Sequence, residues 1–114
     1  MIKVHGIKNC DTVKKSIKWL EQHQLKYEFR DVREIPLSTA EVEQWLADIP
    51  ADQLVNKRST SWRQLDESQR DLSNQALVCQ LIVEQPTLFK RPLVQAKGEA
   101  RVGFNAQQWE AWLG

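Results

Sequence analysis

The stretch that most constrains the fold is Val4-His5-Gly6-Ile7-Lys8-Asn9-Cys10-Asp11-Thr12-Val13-Lys14-Lys15. It opens in a short β-rich run, Ile2 to His5, and crosses a glycine-containing loop. It then enters a helical pattern with Val13, Ile17 and Leu20 at i, i+4 and i+7, read as a helix from Asp11 to about His23. Beyond it Tyr27 to Val32 alternates, with Tyr27, Phe29 and Asp31 against Glu28, Arg30 and Val32, and reads as a second strand. Two strands joined by a helical crossover imply a parallel pair with a right-handed connection.

Cys10 sits at the strand–helix junction, where Asp11 or Thr12 is the expected cap. The first backbone N–H groups of a helix have no intrahelical partner and carry partial positive charge. A thiolate placed there is stabilised and its nucleophilic form populated. Lys8, Lys14 and Lys15 add positive charge and Asp11 opposes it. The alternative is a small buried hydrophobe, the commoner fate of a free cysteine. The junction is the setting that thiolate activation needs.

With 114 residues the chain fits one domain, long enough for a core without staples. A formal net charge of +1 implies no broad nucleic-acid or membrane field. No signal peptide or spanning segment is expected. Two cysteines, Cys10 and Cys79, are too few for a disulfide framework, so a cytoplasmic protein with reduced thiols is expected. His5 and His23 are isolated and no Cys/His group has metal spacing, so no metal site is expected.

Ser38-Thr39-Ala40-Glu41 is a capping box, with Leu37 and Val42 spaced as a hydrophobic staple. Val42, Trp45, Leu46 and Ile49 form an apolar stripe that ends at Pro50. Ala51 to Leu72 reads as polar and irregular, with one helical turn at Gln53-Leu54-Val55. Within it Asn56-Lys57-Arg58-Ser59-Thr60-Ser61-Trp62-Arg63 is an exposed loop with three cations, either solvated or an anion-binding edge. Ser73 to Gln85 is a helix with Leu77, Val78, Leu81 and Ile82 on one face and Cys79 beside them, a structural thiol. Phe89 to Val94 leads into a third strand, and Ala100 to Gly103 is a fourth. The Lys97-Gly98-Glu99 turn makes them an antiparallel hairpin. Asn105 caps a last helix, Ala106 to Leu113, with Phe104 and Trp109 staple-spaced and Trp109, Trp112 and Leu113 facing inward. The order β-α-β, helical block, β-β-α fits an α/β fold, a mixed four-stranded sheet with helices on both faces.

That plan, with a cysteine at the first strand–helix junction and an X-Pro before the third strand, resembles the thioredoxin fold. The chain is similar over essentially its whole length to the arsenate reductase ArsC/Spx family, and most to its short YffB-type members. The resemblance rests on Asn9-Cys10-Asp11-Thr12, Asn56 to Leu65, Phe89-Lys90-Arg91-Pro92-Leu93-Val94 and Arg101-Val102-Gly103-Phe104. It implies a single ArsC-like domain over 1–114 with a helical insertion at about 37–86. It implies that Cys10 is the nucleophile, that Arg91 lines an anion site and that Pro92 is a cis-proline beside the cysteine. Asn9, Asp11, Thr12, Val13, Lys57 and Arg58 complete the expected substrate or glutathione site.

The departures from the family pattern are informative. Arsenate reductases of the family place three arginines around the cysteine. Here Asn56 stands in the first position, with Arg58 two residues on. Arg91 matches the second, and Phe104 stands in the third, with Arg101 nearby. Spx-type regulators often carry Cys-x-x-Cys, whereas this chain has Cys10-Asp11-Thr12-Val13 and no local resolving cysteine. The expected function is therefore a glutathione-dependent thiol reductase, an oxidoreductase working by thiol exchange through one cysteine. It would hold no tightly bound cofactor and use glutathione as co-substrate. A glutaredoxin is a candidate partner; no nucleic acid or membrane is involved, and the chain is a monomer. The alternatives are an arsenate reductase, a non-catalytic Spx-like regulator that binds RNA polymerase, and a structural domain with an inert Cys10.

Overall fold

The computed structural model describes residues 2–114. They gather into two compact units, one of residues 2–34 with Arg91–Gly114, the other Ile35–Lys90. The first unit carries the sheet. Its elements are β1 (Ile2–Gly6), α1 (Asp11–Gln22), β2 (Tyr27–Asp31), β3 (Leu93–Ala96), β4 (Glu99–Val102) and α6 (Ala106–Leu113). The second holds α2 (Thr39–Asp48), α3 (Ala51–Leu54), α4 (Thr60–Arg63) and α5 (Gln75–Glu84), with 3₁₀ turns at Glu67–Gln69 and Pro86–Leu88.

The strand order is β2-β1-β3-β4. β1 and β2 run parallel, Ile2 opposite Tyr27 through Gly6 opposite Asp31. β3 is antiparallel to both β1 and β4. This is the mixed sheet the sequence implies. Lys97 and Gly98, both at positive φ, turn the β3–β4 hairpin. Val4, Val94 and Ala96 share a core with Trp19 and Leu20 of α1 and Trp109, Trp112 and Leu113 of α6. Both helices of this unit therefore pack on one face of the sheet. Trp109 is met edge-on by Trp19 at 5.5 Å and by Phe104 at 4.8 Å. Each such pair adds about 0.5–1.5 kcal/mol beyond the area it buries. The Phe104 contact is the staple predicted from spacing, and Asn105 caps α6 through the Gln108 N–H.

In the second unit the Ser38/Glu41 capping box is formed. Trp45 and Phe89 lie against each other at 5.7 Å, and a bridge pairs Val55 with Phe89. Two expectations are corrected. The segment after Pro50 is more ordered than its polarity suggests, because local side chains cap the starts of its later short helices. Ser59 caps α4 through the Trp62 N–H, and Asp66 with Gln69 forms a second capping box. The fifth helix starts at Gln75, since Ser73 is held by the Asp71 carboxylate and Asn74 takes the cap.

Candidate active site

The site is built where β1 gives way to α1. Gly6 is buried at the end of β1, and its carbonyl accepts the Val32 N–H at 3.0 Å. A Cβ on Gly6 would stand 2.8 Å from Val13 Cγ2 and 3.3 Å from Cγ1, so only glycine lets the first turn of α1 come this close. Ile7 to Cys10 is a turn closed by the Cys10 N–H on the Ile7 carbonyl at 3.1 Å.

The helix cap is Cys10 itself, not Asp11 or Thr12. Its backbone is extended (φ −97°, ψ 121°), and its carbonyl accepts the Lys14 N–H, the first hydrogen bond of α1. Its side chain makes no capping bond. A serine or aspartate here would satisfy one of the leading N–H groups. With cysteine, the Asp11, Thr12 and Val13 N–H groups stay available to an anion at or beside Sγ. The thiol is half-buried, Asn9, Asp11 and Thr12 are exposed, and the Val13 side chain is core. Only the backbone of Val13 can therefore serve the site. Lys14 and Lys15 are exposed and form no ion pair among the described residues. Lys8 is paired with Glu34 at 2.7 Å, and the hydrogen bond to that carboxylate pushes the ammonium above its ordinary value.

β3 supplies the facing residues. His5 pairs with Leu93 in antiparallel register, so Arg91 and Pro92 lie at the end of the sheet from which β1 leaves toward Cys10. The Arg91–Pro92 peptide is cis, as the resemblance implies. The Pro92 carbonyl accepts the Gly103 N–H at 2.9 Å, which anchors this corner to β4. Arg91 is half-buried, with no ion pair among the described residues. Arg101 is committed elsewhere, to Glu99 at 3.0 Å and over the Trp112 ring at 4.4 Å. Phe104 is held by Trp109. Lys57 and Arg58 belong to the second unit, exposed in the turn that leads into α4. The geometry around Cys10 is drawn from the first unit alone.

Asp31 is the residue that sequence reasoning passed over. It ends β2 and is 8% exposed. Its carboxylate accepts the Arg33 N–H at 2.8 Å and, at a longer 3.4 Å, the Lys8 N–H. An acidic residue on the inward side of an alternating strand was the available signal. Cys79, 1% exposed on α5, is pushed above the ordinary thiol value by burial, with the Glu43 carboxylate acting in the same direction.

Comparison with known proteins agrees with this architecture. Residues 5–112 match the model of the ArsC family. This chain belongs to the ArsC family. A protein of Haemophilus influenzae described as uncharacterized is 42% identical over 97% of both chains. The solved structure of a YFFB protein superposes with a TM-score of 0.93 at 32% identity and covers both chains completely. The global transcriptional regulator Spx 2 of Lactococcus lactis is 29% identical over 99% of this chain and 86% of its own. The mixed four-stranded, thioredoxin-like plan is thus the family's. No helix among the described residues is long and apolar enough to cross a membrane.

Proposed function

We propose that this ArsC-family chain is a glutathione-dependent thiol reductase acting by monothiol exchange at Cys10. The observation that carries the reading is Cys10 as the cap of α1, half-buried, with no side-chain capping bond and no second cysteine in its loop. The Cys10 thiolate attacks the glutathione-side sulfur of a mixed disulfide between glutathione and a substrate thiol. The S–S bond breaks, the substrate leaves as a thiolate and takes a proton, and Cys10 is left joined to glutathione. A second glutathione, as thiolate, attacks the glutathione sulfur of that intermediate. Oxidised glutathione leaves and Cys10 is restored as thiolate. One free glutathione is consumed per cycle: its sulfur is oxidised as the substrate sulfur is reduced, and the disulfide bond passes from the substrate–glutathione pair to the two glutathiones.

The residues divide the work. The Asp11 to Val13 N–H groups face the departing or attacking sulfur anion. Arg91 pairs with a glutathione carboxylate through its planar fork. The free Lys14 and Lys15 ammonium groups favour an anionic co-substrate. In this reading the protein acts in the cytoplasm as a monomer, with glutathione as co-substrate, no tightly bound cofactor, and a glutaredoxin as an alternative reductant. Lys57 and Arg58 remain candidate contacts. Arsenate is the less favoured substrate, because Phe104 packs on Trp109 and Arg101 on Trp112.

Turnover of a glutathionylated peptide in the presence of glutathione and glutathione reductase tests the reading. Activity should vanish in Cys10→Ser and persist in Cys79→Ser. A second reading is favoured by the Spx relatives: a regulator that binds RNA polymerase without catalysis. Stoichiometric polymerase binding together with no turnover would establish that reading and end the first.

A further inference from the structure

Resting on Cys10 as the nucleophile, we infer that Asp31 is a positioning residue for it, clasping the turn that presents the thiol. Two turns leave the sheet side by side, because β1 and β2 are parallel neighbours that end in register, Gly6 opposite Asp31. The first, Ile7 to Cys10, is closed by the Cys10 N–H on the Ile7 carbonyl. The second, Asp31 to Glu34, is closed by the Glu34 N–H on the Asp31 carbonyl at 3.1 Å. The Asp31 carboxylate reaches into both. Its Oδ1 takes the Arg33 N–H of its own turn at 2.8 Å, and its Oδ2 takes the Lys8 N–H of the cysteine turn at 3.4 Å.

The Lys8 contact is long, and burial is what makes it count. At 8% exposure the carboxylate has little water to turn to, and a buried acceptor without its donors is costly. The Val32 N–H on the Gly6 carbonyl joins the same two turns one residue earlier, so the cysteine turn is held on two sides. Glycine at position 6 and an acidic residue at position 31 thus serve one end. The turn cannot swing outward, and Sγ stays beside the bare first-turn N–H groups of α1.

The test is the rate of Cys10 alkylation by iodoacetamide in the full chain, resolved by peptide mass, alongside amide hydrogen exchange at Lys8 and Arg33. Asp31→Ala should accelerate exchange at both amides and slow Cys10 alkylation by roughly five-fold or more, because a loosened turn takes Sγ off the helix end. Asp31→Asn, which keeps one acceptor oxygen, should fall between the two and serves if the alanine variant does not fold. A merely structural role predicts the opposite sign, since an opened loop exposes the thiol and speeds alkylation. A folded variant that loses Lys8 protection but reacts at the wild-type rate or faster would overturn the inference alone. A wild-type Cys10 no more reactive than a cysteine in the denatured chain would refute the proposed function, and this role with it.

Discussion

Gly6→Ala tests the geometry on which the site depends. The added methyl would sit 2.8 Å from Val13 Cγ2 and 3.3 Å from Cγ1, and Phe29 Cε1 stands at 3.6 Å. Val13 cannot easily give way: it is 1% exposed and β-branched, with one strongly preferred χ1 in a helix. Either it leaves its rotamer, at roughly 0.5–1.5 kcal/mol, or the first turn of α1 shifts outward. Overpacking of this kind costs about 1–3 kcal/mol. Replacing glycine also restricts the unfolded chain, which returns about 0.4–1 kcal/mol. The net expectation is a loss of about 1–2 kcal/mol. Taking about 2.1 cal/mol/K per residue for the unfolding entropy, a domain of this size loses roughly 4 °C per kcal/mol, so the thermal midpoint should fall by roughly 4–8 °C. Circular dichroism melting at pH 7 measures it. In the Gly6→Ala/Val13→Ala double variant the collision is relieved, so its destabilisation should be smaller than the sum of the single ones by about 1 kcal/mol. Additive effects, or a midpoint equal to or above wild type in Gly6→Ala, would refute the claim that close approach of α1 to β1 requires glycine.

Arg91→Lys keeps the charge and removes the fork, so KM for glutathione should rise by roughly five-fold, about 1 kcal/mol, with the melting temperature almost unchanged; steady-state kinetics at varied glutathione will show it. Burial raises the Cys79 thiol above its ordinary value. Its stabilising contribution is therefore full below the unfolded thiol's pKa of about 8.5 and is lost as pH rises through the raised folded value, because the unfolded chain sheds that proton first. Melting from pH 8 to 10 should consequently fall less steeply in Cys79→Ala than in wild type, and identical slopes would contradict this. The protein should be a poor arsenate reductase, since Phe104 staples α6 and Arg101 is engaged with Glu99 and Trp112. An assay with arsenate, glutathione and glutaredoxin that gave turnover equal to that with a glutathionylated peptide would show the reasoning to be wrong.

Most of the sheet unit was legible because its signals are local and strong. The alternation at Tyr27–Asp31, the Val13/Ile17/Leu20 stripe, the Lys97-Gly98 turn and the Phe104/Trp109 staple each belong to one short stretch. The region after Pro50 looks irregular in sequence because its order comes from caps on very short helices, Ser59 and Asp66, with too few apolar residues to show a period. The cysteine junction was legible as a place, but the identity of the cap was not. Asp11 and Thr12 are better capping residues by type, yet the turn closed on Ile7 puts the extended backbone at Cys10. Asp31 is hidden in the sequence for another reason. Its role depends on the in-register ends of two strands more than twenty residues apart in sequence, and no local pattern encodes that pairing.

The most direct test of the account is the covalent intermediate itself. The intact protein, incubated with a glutathionylated peptide and quenched in acid, should carry a single glutathione, mapped to Cys10. Added reduced glutathione should discharge it at least as fast as steady-state turnover. Cys10→Ser should carry none, and Cys79→Ser should carry it as wild type does. An adduct on Cys79, a Cys10–Cys79 disulfide, or turnover surviving in Cys10→Ser would contradict monothiol exchange at the cap of α1.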